Sequence, residues 1–180
     1  ALEFAQTINR ETMGVYCGMS NNTYIDQVEQ LNPEKCDQVG RWNLATLNEK
    51  DYIATQVAHK LDLKGPALSI HTACSTSLVA MIQGARAIQS GECDSALCGG
   101  VHIDSRHRIG HLYQEGSIFS KDGLCSPYDE KASGTLFSDG VGVVILKDYD
   151  LALADGNLIL GTIAGCGLNN DGGHKTSFSV

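Results

Sequence analysis

The sequence of this 180-residue chain has no long apolar run and little positive charge. Each of these features argues against a class of function or partner. No segment approaches the roughly 20 apolar residues of a membrane-spanning helix, and no charged-then-apolar signal segment opens the chain. Thirteen Lys and Arg stand against 21 Asp and Glu, which gives a net charge of -8. Because no basic stripe is present to neutralise phosphates, neither a nucleic acid nor a membrane is expected as a partner.

The sequence also lacks a Cys-x-x-Cys pair and any regular cysteine spacing, although it holds seven cysteines. An odd number of irregularly placed cysteines, mostly within apolar runs, does not fit a disulfide framework. We therefore expect free thiols in a reducing, cytoplasmic compartment. A zinc site can be drawn from one cysteine and three histidines, namely Cys98, His102, His107 and His111. Cys98, however, belongs to a predicted buried strand, so no metal site is expected.

Hydrophobic residues make up 42% of the chain, enough for one sizeable core, and we expect residues 1–180 to form one domain without an internal boundary. Short apolar runs bounded by turn residues predict strands, and apolar positions at three-and-four spacing predict helices. The predicted strands are Met13–Met19, Pro66–Ile70, Ser95–Val101, Val141–Leu146 and Leu158–Cys166. One predicted helix begins at Thr23, two others span Glu49–Leu61 and Leu78–Ile88, and a short helical turn is predicted at Leu151–Ala154. Strands that alternate with helices imply a mainly parallel sheet covered on both faces.

Several stretches carry weaker patterns. Ala1–Glu3 is typical of the middle of a helix, so we expect the protein to begin earlier. Residues 31–42 contain Pro33 and Gly40 and predict an irregular surface connection. Residues 104–119 predict a broken polar helix, and a long loop to Asp139 follows, of a length that is often functional. Gly84 lies inside a predicted helix, where glycine costs about 1 kcal/mol against alanine, so close packing is expected there.

The chain is organised around Cys74, which lies in a small-residue turn between a predicted strand and a predicted long helix. A thiol in the first turn of a helix faces unpaired backbone N–H groups and the positive end of the helix dipole, and both favour the thiolate. The same N–H groups can stabilise the oxyanion formed when sulfur attacks a carbonyl. Ala73, Ser75 and Ser77 are small enough to leave the approach uncrowded. The alternative is a packed, inert cysteine, since free cysteine is often buried.

Four ordered motifs resemble those of β-ketoacyl synthases, the condensing domains of polyketide and fatty acid synthases. Residues 65–80, GPALSIHTACSTSLVA, resemble the nucleophile segment of that family, and residues 91–101, GECDSALCGGV, the strand after the nucleophile helix. Residues 120–129, SKDGLCSPYD, are similar to its Ser-x-Asp-Gly-x-Cys-x-x-Phe-Asp loop, and residues 169–172, NNDG, to its Asn-x-Asp-Gly turn. The sequences TACSTS and GTLF are most similar to modular type I polyketide synthases.

The resemblance implies a fold and a reaction. The fold is the thiolase-like α/β fold, layered α/β/α/β/α, of which this chain covers mainly the first sheet-and-helix half; a half alone would expose the apolar face that its twin covers. The reaction is a decarboxylative Claisen condensation. Cys74 takes an acyl group as a thioester, and the carbanion left by decarboxylation of a malonyl-type thioester attacks that acyl group. The family binds no cofactor directly; its substrates are carried on the phosphopantetheine of an acyl carrier protein, and the complete domain is a homodimer.

The match departs from the family at three places. The family's two downstream histidines, which hydrogen-bond the thioester oxygen during decarboxylation, have no counterpart among the six histidines here. We therefore expect these 180 residues alone not to release carbon dioxide from a malonyl thioester. Residues 137–142, FSDGVG, replace a more usual Gly-Glu-Gly-x-Gly run. His71 replaces a residue that is more often acidic.

His71 lies three residues before Cys74, a spacing that suggests a catalytic pair. Along a strand and a turn, however, the two side chains need not converge, so we favour a supporting role for His71 over that of a base. Two other functions stay open. One is a non-condensing gatekeeping or chain-length subunit, although such subunits usually replace the nucleophile. The other is a non-catalytic fragment that serves dimer contact and assembly.

Overall fold

A computed structural model describes residues 9–104 and 110–174. The predicted helix at Ala1–Glu3 and the predicted role of His107 lie outside these residues. The strands are β1 (Met13–Met19), β2 (Ala67–Ser69), β3 (Ser95–His102) and β4 (Gly140–Lys147). The helices are α1 (Tyr24–Leu31), α2 (Pro33–Val39), α3 (Arg41–Asn48), α4 (Ile53–Leu61), α5 (Thr76–Gln89) and α6 (Tyr149–Ala154), with single 3-10 turns at Lys50–Tyr52, Ala73–Ser75 and Gly172–His174. Within the described ranges, no helix combines the length and the apolar character needed to cross a bilayer.

The four strands form one sheet in the order β2-β1-β3-β4. β1 pairs in parallel with both β2 and β3, as the alternation of strands and helices predicted. β4 runs antiparallel to β3, with Val101 opposite Val141. The expectation of full coverage on both faces is wrong at β4, where the Val141 side chain is 75% exposed.

The core has two halves because successive side chains of β1 point to opposite faces of the sheet. Tyr16 packs on the α5 side with Ala80 and Cys98, whereas Val15 packs on the α4 side with Ala54. The sheet therefore lies between α4 and α5, and both helices are positioned by the same central strand. That arrangement places the start of α5 at the carboxyl end of β1.

Gly84 confirms the prediction of close packing inside the long helix. A Cβ atom at Gly84 would lie 2.4 Å from the Cys98 Sγ atom and 3.1 Å from the Ala96 Cβ atom. The helix α5 therefore lies directly against β3, and no larger side chain fits between them. The cost of glycine within the helix is offset by this approach.

Two predictions about the connections are wrong. The stretch predicted as irregular, 31–42, holds α2 and the start of α3. Pro33 occupies the first turn of α2, where its missing N–H costs nothing, and Gly40 with φ 84° separates the two helices. Residues 110–119 are not helical, because they lack an apolar stripe that could be buried against the sheet.

The predicted strand Leu158–Cys166 is not paired with any described strand. A strand is stable only where a neighbour accepts its backbone hydrogen bonds, and the outer edge of β4 has no partner among the described residues. Leu158 and Leu160 are 86% and 93% exposed. Like β4, this stretch is apolar and exposed, as the resemblance to a fold of two halves implied for one half alone.

Candidate nucleophile turn at Cys74

Cys74 lies in the 3-10 turn that joins β2 to α5, and its side chain is exposed. The strand, sharp turn and helix predicted around it are therefore all present. Ala73 has φ 54°, in the left-handed region that a residue with a Cβ atom seldom adopts. Such a conformation costs about 1–3 kcal/mol and is retained where the surrounding structure holds it.

Two side chains of the turn, those of Ser75 and Thr76, hold this backbone. The Thr76 hydroxyl accepts a hydrogen bond from the Thr72 amide at 3.0 Å and donates to the Ala73 carbonyl at 2.8 Å. The Ser75 hydroxyl donates to the Thr72 carbonyl at 2.9 Å. These roles of Ser75 and Thr76 were not predicted from the sequence. The tendency of Ser and Thr to bond nearby backbone groups was the available signal.

Glycines in β1 and β3 let the sheet come close to this turn. A Cβ atom at Gly18 would lie 1.9 Å from the Ile70 carbonyl oxygen and 2.4 Å from Thr76 Cγ2. A Cβ atom at Gly100 would lie 3.3 Å from Ser77 Cβ. The two strands therefore contact the chain on both sides of Cys74 through backbone alone. Without glycine at position 18 the turn would have to move away from the sheet.

A cavity of about 320 Å³ opens one residue beyond these contacts, at the carboxyl ends of β1 and β3. Its lining residues are Met19, Ser20, Asn21, Asn22, Tyr24, Val101 and Ile103. Met19 and Val101 face the α4 side of the sheet, opposite to Gly18 and Gly100, because successive side chains of a strand alternate between the two faces. Its walls are apolar with a few polar groups, as in pockets that bind small organic groups. Local sequence patterns do not indicate this cavity, because its residues come from distant segments.

His71 is placed beside Asp51 at the start of α4. The His71 Nε2 atom lies 3.8 Å from the Asp51 Oδ1 atom. Both ring nitrogens are shut off from solvent and have no hydrogen-bond partner in the described part of the chain, Cys74 included. A buried polar atom without a partner costs about 1–3 kcal/mol. The ring is therefore not hydrogen-bonded as a base to the thiol in this state.

The SKDG loop after Phe119 is held together by the carboxylate of Asp122. The hydroxyl of Ser120, which is buried, donates to Asp122 Oδ1 at 2.6 Å, and the Ser133 hydroxyl donates to the same atom at 2.9 Å. The Leu124 amide also donates to it, at 3.1 Å. The Ser120 bond first, and then the other two, lower the pKa of Asp122 to about 2. This motif therefore organises its own loop.

Cys98 and His111, two of the residues from which a zinc site can be drawn, have other surroundings. Burial raises the pKa of Cys98 to about 12 and that of Cys17 to about 11, so both thiols stay protonated. The His111 ring stacks on Phe119 with centroids 4.9 Å apart, and its Nε2 lies 2.9 Å from the Ser120 carbonyl oxygen. Across 9–104 and 110–174, no three His, Cys, Asp or Glu side chains are grouped to hold a metal ion.

Comparisons with known proteins agree with this architecture. A model of the N-terminal domain of β-ketoacyl synthases matches residues 3–152. A phenolphthiocerol/phthiocerol polyketide synthase of Mycobacterium tuberculosis is 41% identical over 140 residues, which are 78% of this chain and 9% of that protein. The polyketide synthase PksN of Bacillus subtilis is 34% identical over 180 residues, 99% of this chain and 3% of its own length.

Solved structures lead to the same group of proteins. Ketosynthase twelve of the bacillaene polyketide synthase from Bacillus amyloliquefaciens is 37% identical with a TM-score of 0.83, and the match covers 99% of this chain and 31% of that one. The ketosynthase from module 1 of the bacillaene synthase of the same species is 34% identical with a TM-score of 0.76, over 99% and 30% of the two chains. This chain thus spans about a third of those ketosynthase chains. The prediction of a thiolase-like α/β fold is confirmed.

Proposed function

The chain belongs to the β-ketoacyl synthase family, as part of a polyketide synthase ketosynthase domain, and from that premise we propose that Cys74 is its acyl-accepting nucleophile. One observation carries this assignment: an exposed thiol on a strained turn, held at the start of α5 by its own side chains and by the glycines of β1 and β3. Residues 1–180 would form one partial domain. The intact protein would act in the cytoplasm as a homodimer.

The first half-reaction is acyl transfer. The Cys74 thiolate attacks the carbonyl carbon of an acyl thioester carried on the phosphopantetheine of an acyl carrier protein. The backbone N–H groups at the start of α5 stabilise the oxyanion that forms. As the oxyanion collapses, the carbon–sulfur bond to phosphopantetheine breaks, and its thiolate leaves and takes up a proton. The product is an acyl group on Cys74, with no bound cofactor required.

The second half-reaction is condensation. A malonyl-type thioester loses carbon dioxide, and the electron pair of the broken carbon–carbon bond forms a carbanion at the α carbon. The carbanion attacks the acyl carbonyl on Cys74, and the Cys74 sulfur leaves as a thiolate. The oxygen of the decarboxylating thioester gains negative charge, which hydrogen-bond donors must stabilise. None of the six histidines lies in the Gly/Thr-rich motif expected for that task, so we assign this step to the intact protein.

Selective alkylation tests the nucleophile. In the intact protein, iodoacetamide is expected to label Cys74 at least about tenfold faster than Cys125 and Cys166, because the turn presents its sulfur to solvent at the start of a helix, where backbone N–H groups are unpaired. Those two cysteines are also exposed, so they are matched controls for access. Peptide mapping by mass spectrometry over a time course gives the three rates. Equal rates at the three exposed thiols would count against an activated Cys74.

A further inference from the structure

The end of β2 is fastened to the segment that begins α4. The Ser69 hydroxyl donates to the Asp51 carbonyl oxygen at 2.7 Å, and the Ala54 amide donates to the Ser69 hydroxyl at 3.2 Å. Ser69 lies five residues before Cys74 and 18 residues after Asp51. The strand that leads into the nucleophile turn is therefore anchored on α4 through one side chain.

The His71 ring, two residues closer to the turn, also lies near Asp51. Its Nε2 atom lies 3.8 Å from the Asp51 carboxylate, slightly longer than a hydrogen bond, and its own side chain is only 22% exposed. Neither ring nitrogen has a hydrogen-bond partner among residues 9–104 and 110–174. The neighbouring ammonium of Lys50 donates instead to Asn21 Oδ1 at 3.1 Å, away from this carboxylate. Asp51 thus places a carboxylate 3.8 Å from an enclosed ring nitrogen that has no hydrogen-bond partner among the described residues.

We propose that His71 and Asp51 form a positioning pair that fixes the chain entering the Cys74 turn, a role that rests on the assignment of Cys74 as the nucleophile. When the Nε2–H group donates to the carboxylate, position 71 is held against the start of α4. Only Thr72 then separates the fixed residue from Ala73, whose left-handed conformation needs support from both sides. The pair acts through the position of the sulfur and exchanges no proton with it.

A double-mutant cycle in the intact protein tests the pair. His71→Ala, Asp51→Ala and the double variant are treated with an octanoyl thioester of N-acetylcysteamine, and the rate of Cys74 acylation is measured by peptide mapping. Each single variant is expected to lose about tenfold in rate, and the double variant no more than either single one, because both changes remove the same contact. Thermal unfolding of each variant is followed in parallel, and acylation is measured well below the unfolding transition.

Two matched variants separate positioning from general damage. His71→Gln keeps an N–H donor of similar reach and is expected to recover most of the rate. Asp37→Ala removes an exposed carboxylate from α2 and is expected to leave the rate unchanged. Additive losses in the cycle, or failure of His71→Gln to recover the rate, would overturn the pair. If Cys74 is acylated equally fast in all variants, the pair alone is wrong; if wild-type protein carries the acyl group elsewhere, the proposed nucleophile and the pair both fail.

Discussion

Cys74→Ala is expected to abolish acylation of the intact protein, with a loss of at least about a thousandfold. The substitution removes the atom that forms the bond to the acyl group, and loss of a covalent nucleophile typically costs several orders of magnitude. The thiol is exposed, so its removal leaves no cavity in the core. Intact-mass measurement after treatment with an acyl thioester gives the acylated fraction, and substrate-dependent carbon–carbon bond formation gives turnover.

The other exposed cysteines supply the comparison for this variant. Cys125→Ala and Cys166→Ala remove thiols of similar exposure outside the turn and are expected to retain acylation within about twofold. Unfolding curves that match for all three variants would attribute the loss to chemistry. Acylation that persists in Cys74→Ala, or disappears equally in Cys125→Ala, would contradict the proposed nucleophile.

Gly18→Ala is expected to destabilise the protein by about 3 kcal/mol or more and to displace the nucleophile turn. The added Cβ atom would lie 1.9 Å from the Ile70 carbonyl oxygen, and a backbone atom cannot move aside as a flexible side chain can. Inserting a methyl group into a packed site commonly costs about 1–3 kcal/mol, and a backbone clash lies at or above that range. Urea unfolding measures the stability, and the alkylation rate of Cys74 reports the position of the turn.

Gly142→Ala is the matched control, since Gly142 is also a strand glycine but a Cβ atom there meets nothing within 4 Å. It is expected to change the free energy of unfolding by less than about 0.5 kcal/mol. If Gly18→Ala were as stable as Gly142→Ala and its Cys74 reacted at the wild-type rate, the close approach of β1 to the turn would contribute neither to the free energy of unfolding nor to the position of the sulfur.

Local patterns predicted the parts of the molecule that depend on neighbours in sequence. The strand β1, the helix α5 and the turn at Cys74 follow from apolar periodicity and from small residues between them. The prediction for 31–42 is wrong because Pro33 and Gly40 are common both in loops and at helix ends. In this chain they mark the start and the end of a helix.

Features that depend on distant segments could not be predicted in this way. The antiparallel direction of β4 depends on how the chain returns between residues 102 and 140, which periodicity does not encode. The cavity is lined by Met19 and Val101, which are far apart in sequence. His71 and Asp51 also come from separate segments, each next to a helix. In each case the pairing is set by tertiary packing, and the sequence offers only the residue types.

The left-handed backbone of Ala73 links the chemistry of the sulfur to the integrity of the whole sheet. An alanine adopts that conformation only while Thr72, Ser75, Thr76 and the glycine of β1 hold it, so the geometry is lost as soon as any of these supports loosens. Partly unfolded molecules would then not accept an acyl group at Cys74. The labelling rate of a single thiol would thus serve as a gauge of how much of a preparation is native.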